Sequence, residues 1–168
     1  ADIRQNTSFG VRAGADELAE VAEMRERMND ALYTRGTRDV KFGPGGLVDI
    51  EFATQACQLA AAVQATDGDP RRVQNGTASQ STRRALAALG HEDIATDYLW
   101  LCRLLARTRM SGGLAVTSIL PDDDDAMLML ARRLGHQGEG ATAAFVDEFD
   151  TRTRRTRGFF EDVLGSAR

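Results

Sequence analysis

Residues 41–55 form a glycine-rich turn that runs directly into a predicted helix, and they read Lys41-Phe42-Gly43-Pro44-Gly45-Gly46-Leu47-Val48-Asp49-Ile50-Glu51-Phe52-Ala53-Thr54-Gln55. The three glycines permit backbone conformations and close approaches that other residues resist, and the proline fixes its own φ at about −65°. From Leu47 onward the residue pattern predicts a helix that continues to about Ala65. We therefore expect a rigid turn that sets where this helix begins.

The predicted helix is apolar around most of its circumference. At about 100° per residue, only Glu51, Gln55 and Gln58 form a narrow polar stripe. Such a helix is typically buried in the centre of a domain. Asp49 interrupts the apolar surface, because it lies on the side that carries Ala53. The sequence thus predicts a central helix with two carboxylates that need partners.

A structural role explains one of these carboxylates more readily than the other. If Gly46 is the N-cap, Asp49 is the third helical residue, where a carboxylate can accept hydrogen bonds from free N–H groups and faces the positive helix end. Glu51 lies too far along the helix to share that role fully, so it needs a cation or a polar ligand. A contact with a ligand or another domain is the alternative for both acids.

The turn itself has two interpretations. Backbone N–H groups at a helix N-terminus can hold a phosphate, and Lys41 would add positive charge. The alternative, which we favour for this chain, is a tight turn that simply directs the helix. The candidate residues for a nucleotide or domain contact are Lys41, Gly43, Gly45, Gly46, Asp49 and Glu51.

An arginine lies within the apolar arc of the first predicted helix, which runs from about Ala15 to Tyr33. The arc consists of Leu18, Val21, Ala22, Met28 and Leu32, with Arg25 near its middle. An unpaired buried guanidinium is costly, so Arg25 must reach solvent or meet a carboxylate. We expect Arg25 to form an ion pair with the central helix. Glu51 is the first choice and Asp49 the alternative, because Asp49 already has the helix N-terminus as a partner.

Four further helices are predicted downstream, over about Ser79–Leu89, Glu92–Met110, Ala126–Leu134 and Ala141–Leu164. Gly90 and Gly135 are expected to end the first and third of these. The run Asp122–Asp125 is interpreted as an N-cap and an acidic first turn, not as a metal cluster. No segment alternates with a period of two. We therefore predict an all-α bundle of about six helices, with residues 1–13 as a lead-in and residues 14–168 as one domain.

The predicted last helix carries the one concentrated basic patch of the chain, formed by Arg152, Arg154, Arg155 and Arg157. We interpret it as a solvated helix face. Docking to an acidic partner is the alternative.

The glycine-rich segment also resembles a known family. Its pattern Lys-x-Gly-x-Gly-Gly-Leu-x-Asp-Ile-Glu-Phe-x-x-Gln is similar to the segment that follows the nucleotidyltransferase domains of glutamine synthetase adenylyltransferases. The PII uridylyltransferases have a related Gly-Gly-Leu-x-Asp segment, but usually lack the continuation found at Ile50–Gln55. Similarity is weaker around Met24–Met28 and downstream.

This resemblance implies a parent enzyme that transfers AMP from ATP to a tyrosine of glutamine synthetase and removes it by phosphorolysis. It also implies Mg²⁺ as a cofactor of the parent, and regulation by the PII protein and glutamine. The domain is then expected to follow a nucleotidyltransferase domain. Its role would be to buttress that catalytic domain or to position a partner. The alternatives are a stand-alone helical adaptor and a fragment of a PII uridylyltransferase.

The chain itself is expected to be inactive. Nucleotidyl transfer needs metal-binding aspartates to neutralise phosphate charge, and in this superfamily they lie on a strand after a Gly-Ser turn. Asp67 and Asp69 instead follow a helix and precede Pro70 without that turn. We therefore predict no catalytic residue, no metal site and no cofactor within this chain.

The bulk composition fits this interpretation. The 168 residues carry a net charge of −4, which argues against a dedicated nucleic-acid-binding protein. No apolar run is long enough to cross a membrane. Cys57 and Cys102 lie in apolar helical patterns, so we expect free thiols and a cytoplasmic protein. The start at Ala1, without a methionine, suggests a piece of a longer protein.

Overall fold

The structure, a computed structural model, describes residues 19–66, 79–111 and 117–165, apart from the side chains of 62–66 and 111. Six helices lie in these ranges: α1 (19–32), α2 (Leu47–Thr66), α3 (Thr82–Ala88), α4 (Glu92–Ser111), α5 (Asp124–Arg133) and α6 (Ala141–Leu164). These described ranges contain no strand, so the predicted all-α bundle is confirmed. The predicted lead-in, the start of α1 and the Asp67–Asp69 pair lie outside the described residues.

The helix ends follow from local chemistry. The predicted bounds of α2, α4 and α6 agree with the structure to within about one residue. Helix α5 begins two residues earlier than predicted, because Asp123 is its N-cap and accepts a hydrogen bond from the backbone N–H of Ala126 at 2.8 Å. Helix α3 is shorter than predicted and begins at Thr82. Gly90 and Gly135 adopt positive φ angles of 83° and 101° just after α3 and α5, as expected for helix-ending glycines.

The core lies between the central helix and the last helix. Helix α2 packs most extensively against α6, and α3 packs mainly against α4. The largest fully buried side chains include Phe145, Ile50, Leu86, Leu101 and Leu104. The predicted burial of α2 is therefore confirmed for Ile50, Ala53 and Ala56.

A short backbone bridge fixes the chain just before the glycine turn. Asp39 pairs antiparallel with Ile119, in the segment between α4 and α5, and the N–H of Val40 donates to the carbonyl oxygen of Ser118 at 2.8 Å. The chain therefore enters the turn from a fixed position. None of the described helices is both long and apolar enough to cross a membrane.

Candidate functional site

The glycine turn packs directly against the backbone of α6. Gly45 has a φ of 71°, and a Cβ atom built on it would lie 1.9 Å from the carbonyl oxygen of Thr153. The hydroxyl of Thr156 donates a hydrogen bond to the carbonyl oxygen of Gly45 from the same helix. Only glycine satisfies both the positive φ and this close approach. The turn therefore sets how closely α6 can approach the start of α2.

The backbone N–H groups of the turn are already engaged within the domain. The N–H of Gly43 donates to the carbonyl oxygen of Asp39 at 3.1 Å, and that of Gly46 to the carbonyl oxygen of Gly43 at 2.9 Å. The N–H of Gly45 donates to Oδ2 of Asp49 at 2.7 Å. A bound phosphate would need these donors to be free. The geometry thus favours a turn that directs the helix, which is the interpretation preferred from the sequence.

ATP is accordingly expected to cause no saturable amide shifts at Gly43, Gly45 and Gly46. The reason is that each N–H already has an acceptor. The measurement is a titration of the ¹⁵N-labelled chain with ATP, with the amides of Gly90 and Gly138 as remote references. Saturable shifts at sub-millimolar ATP, confined to the turn, would contradict this expectation.

Asp49 is the centre of a buried charged network. It has no exposed surface, and its Oδ1 accepts a hydrogen bond from Nε of Arg25 at 2.6 Å. Its Oδ2 accepts from the Gly45 N–H and from Nη1 of Arg157 at 3.2 Å. Nη2 of Arg25 also donates to the carbonyl oxygen of Phe42 at 2.9 Å. One carboxylate therefore ties α1, the turn, α2 and α6 together.

The expectation that Glu51 is the partner of Arg25 is wrong. Arg25 bonds Asp49, the alternative partner, and Glu51 accepts a hydrogen bond from the hydroxyl of Tyr98 on α4 at 3.2 Å. Side chains two positions apart on a helix point about 200° apart around its axis, so Asp49 and Glu51 face different neighbours. Burial, and to a lesser extent Glu51, raises the pKa of Tyr98 to about 12.

Asp39 is a buried acid that sequence analysis missed. Its Oδ1 accepts hydrogen bonds from the N–H groups of Lys41 at 2.8 Å and Phe42 at 3.0 Å, while only 3% of its surface is exposed. An aspartate that bonds the backbone two residues on is a common way to start a turn. Its position just before the Gly43-Pro44 turn is the sequence feature that could have predicted this role.

Three of the four arginines in the basic patch of α6 form ion pairs with buried carboxylates, so the patch is not only a solvated face. Arg155 does so while its side chain remains 46% exposed. Arg155 donates to both carboxylate oxygens of Asp97 at 2.7 Å, and Arg152 bonds Asp97 as well. Asp97 is fully buried, and its hydrogen bonds raise the pKa of Arg155. Arg157 bonds Asp49, whereas Arg154 is exposed.

Asp97 was the second missed acid. It lies on α4 between Ile94 and Leu101, at spacings of three and four residues within the apolar row. A carboxylate in that position requires a cation.

The two cysteines and the two histidines lie outside the glycine turn. His136 adjoins the Asp97 pairs through Glu148, which also accepts a hydrogen bond from Arg152 at 2.7 Å. Cys57 and Cys102 are free thiols, and burial raises the pKa of Cys57 to about 12. His91 packs against Phe159, and the ring of His136 lies 3.1 Å from Glu148. Within the part of the chain that the structure describes, no three His, Cys, Asp or Glu residues converge as they would around a metal ion.

This chain is similar to a known protein family along most of its length. The family model described as GlnD PII-uridylyltransferase matches residues 15–164. Several bifunctional glutamine synthetase adenylyltransferase/adenylyl-removing enzymes are also similar. The protein from Caulobacter vibrioides is 43% identical over 62% of this chain and 9% of its own length. The protein from Streptomyces coelicolor is 30% identical over 90% of this chain and 15% of its own length.

The relative from Mycobacterium tuberculosis strain H37Rv is 37% identical over 77% of this chain and 13% of its own length. The chain thus spans only about a tenth to a seventh of the length of these three relatives. No solved structure matches the chain.

Proposed function

Because this chain belongs to the GlnD PII-uridylyltransferase family of domains, we propose that it is the non-catalytic helical domain of a glutamine synthetase adenylyltransferase. Its similarity to the named adenylyltransferases, over 62–90% of its length in the Caulobacter and Streptomyces cases, carries this proposal. The parent would transfer AMP from ATP to a tyrosine of glutamine synthetase and remove it by phosphorolysis. It would use Mg²⁺, act in the cytoplasm and respond to the PII protein.

In this proposal, the domain presents the tip of its glycine turn as a contact surface for a preceding nucleotidyltransferase domain. Pro44 is exposed and Lys41 and Phe42 are half-exposed at the tip of the turn, where the Lys41 ammonium lies 4.7 Å from the Phe42 ring centre. Beneath this tip, the buried glycines and Asp49 keep the backbone rigid. We propose that the tip makes the domain contact, that Gly43, Gly45, Gly46 and Asp49 support it from within, and that Glu51 is structural. The proposed domain extends over residues 14–168.

The isolated chain is expected to leave glutamine synthetase unlabelled. The physical reason is that nucleotidyl transfer requires a metal-binding aspartate pair, and in this sequence no Asp-x-Asp pair follows a Gly-Ser turn. The measurement is incubation with glutamine synthetase, Mg²⁺ and ATP carrying a label in its AMP part, followed by detection of labelled tyrosine. Transfer above the level of a protein-free blank would contradict the proposal.

The full-length native protein is the matching positive control. It is expected to label glutamine synthetase with AMP, and its reading frame should encode a preceding domain with Gly-Ser and Asp-x-Asp motifs. The name of the family model favours a second candidate, a PII uridylyltransferase. Labelling of the PII protein from UTP, without labelling of glutamine synthetase from ATP, would favour that candidate. A reading frame that encodes only this domain would favour a stand-alone adaptor.

A further inference from the structure

A groove lies between the tip of the glycine turn and the middle of α6. Pro44 lines it from the turn, and Arg154 and Gly158 line it from α6. The groove has a volume of about 430 Å³. Pro44 is exposed, while Gly45 beside it packs against the α6 backbone, so the two sides of the groove are held in a fixed relation. A preformed surface of this kind needs little ordering when a partner binds.

Within the described residues, no neighbour requires glycine at position 158. Gly158 is the only glycine inside α6, a helix of 24 residues, and glycine is less favourable than alanine in a helix because its backbone loses more freedom. A Cβ atom built on Gly158 would meet no atom within 4 Å. Gly45 is the contrast, since its Cβ would collide with α6. A glycine at an open helix position suits a site where another backbone approaches closely.

Arg154 carries the one charge of this groove that has no ion pair among the described residues. Asp150 accepts a hydrogen bond from Arg38 at 3.2 Å. Arg157 donates to Glu161 at 2.7 Å. The Arg154 side chain is exposed and has no such partner in the described part of the chain. The groove therefore presents one positive charge that is not neutralised and that a partner can reach.

These features favour an acidic protein surface as the occupant. A carboxylate can accept two parallel hydrogen bonds from a guanidinium, and arginine is enriched in protein interfaces. A polyanion such as a nucleotide is disfavoured, because Asp150 and Glu161 line the same groove and would repel further negative charges. One acidic side chain beside Arg154, on an element that passes close to Gly158, matches the charge and the open space together.

We propose that this groove docks the nucleotidyltransferase domain that precedes the chain, with an Asp or Glu side chain of that domain paired to Arg154 and its backbone close to Gly158. The inference rests on the proposed function, and it extends the contact from the tip of the turn to the exposed face of α6. The preceding domain would then contact the helix whose Arg157 and Arg155 bind the buried Asp49 and Asp97.

Amide hydrogen exchange tests the proposal in the full-length native protein and in the 168-residue chain. For each variant, the exchange rate in the isolated chain is divided by the rate in the full-length protein, at the turn and along α6. This ratio cancels changes in the stability of the domain itself, and it is expected to be at least about ten in the wild type.

Charge variants of Arg154 test the ion pair. Arg154→Glu is expected to lower the exchange ratio by at least about threefold, because it replaces attraction by repulsion. Arg154→Lys keeps the charge and should retain most of the ratio. Arg103→Glu is the matched control, since Arg103 is an exposed arginine of α4 that does not line the groove.

Variants of Gly158 have opposite expected effects in the two proteins. Gly158→Ala should raise the urea midpoint of the isolated chain, because alanine favours the helix and the added Cβ has open space. Gly158→Gln should lower the exchange ratio by at least about threefold, because its side chain fills the space that the docked element needs. Thr151→Gln is the matched control at an exposed α6 position outside the groove.

The outcomes separate this inference from the proposed function. A ratio near one at both the turn and α6 would overturn the tip contact and the groove together. A high ratio at the turn that neither Arg154→Glu nor Gly158→Gln lowers would leave the tip contact and overturn the groove. An effect of only one of these variants would overturn the contact assigned to the other residue. Slower exchange that requires added glutamine synthetase or PII protein would overturn the preceding domain as the occupant.

Discussion

Gly45→Ala is expected to lower the free energy of unfolding by about 2–5 kcal/mol. An L-residue in the left-handed conformation costs roughly 1–2 kcal/mol, and forcing extra atoms into a packed site costs roughly 1–3 kcal/mol more. The added Cβ would lie 1.9 Å from the carbonyl oxygen of Thr153, which belongs to the α6 backbone and has no rotamer to change. The turn and α6 would therefore have to separate.

The measurement is urea unfolding, followed by the fluorescence of Trp100. This is the only tryptophan of the chain, and it packs against Phe145 and Phe149 on α6. Gly90→Ala is the matched control, because Gly90 has a φ of 83° but no atom lies within 4 Å of the position that an added Cβ would occupy. The control should lose only the conformational cost of about 1–2 kcal/mol. Equal losses in the two variants would show that contact with α6 contributes nothing.

Asp49→Ala is expected to destabilise the domain by about 3–5 kcal/mol, because it leaves the buried guanidinium of Arg25 without its carboxylate. The Arg25 side chain is 4% exposed, so it cannot turn to water without moving α1. Arg25→Ala should cost less. In that variant Asp49 keeps the Gly45 N–H and Arg157 as partners. The two single variants and the double variant form a cycle that measures the coupling in unfolding free energy.

Two controls separate this pair from other charges. Arg27 pairs with Glu23 on the surface of α1, with side chains 64% and 65% exposed, so Arg27→Ala should cost less than about 1 kcal/mol. Glu51→Ala should lose roughly the 1 kcal/mol of its bond to Tyr98 and show no coupling to Arg25. Coupling between Arg25 and Glu51, or additive losses at Arg25 and Asp49, would contradict the observed pairing.

The helices could be predicted from the sequence because their ends depend on neighbouring residues. Asp123 caps α5 through its own side chain, and Gly90 and Gly135 adopt positive φ just after α3 and α5. The apolar surface of α2 likewise predicts a central helix, and Ile50 and Ala53 are fully buried. These features need no knowledge of which other helix lies nearby.

The candidate site could be predicted only in part. The glycine turn and a partner for Arg25 follow from residue type and position, since a turn of this composition is rigid and a buried arginine needs an acceptor. The identity of that acceptor does not follow. Asp49 and Glu51 lie two residues apart on one helix, so both are plausible until the positions of α1 and α4 are known.

Long-range charge pairing was decided by tertiary structure alone. Asp97 and Arg155 are 58 residues apart, and Asp49 and Arg157 are 108 apart, yet each pair is in hydrogen-bond contact. An arginine on a helix presents the same local pattern whether it faces water or a buried carboxylate. The hydrogen bonds at caps and turns join residues that are close in the sequence, so the sequence alone predicts them. The pairing of charges depends on how α1, α2, α4 and α6 pack, and this emerges only when the whole core forms.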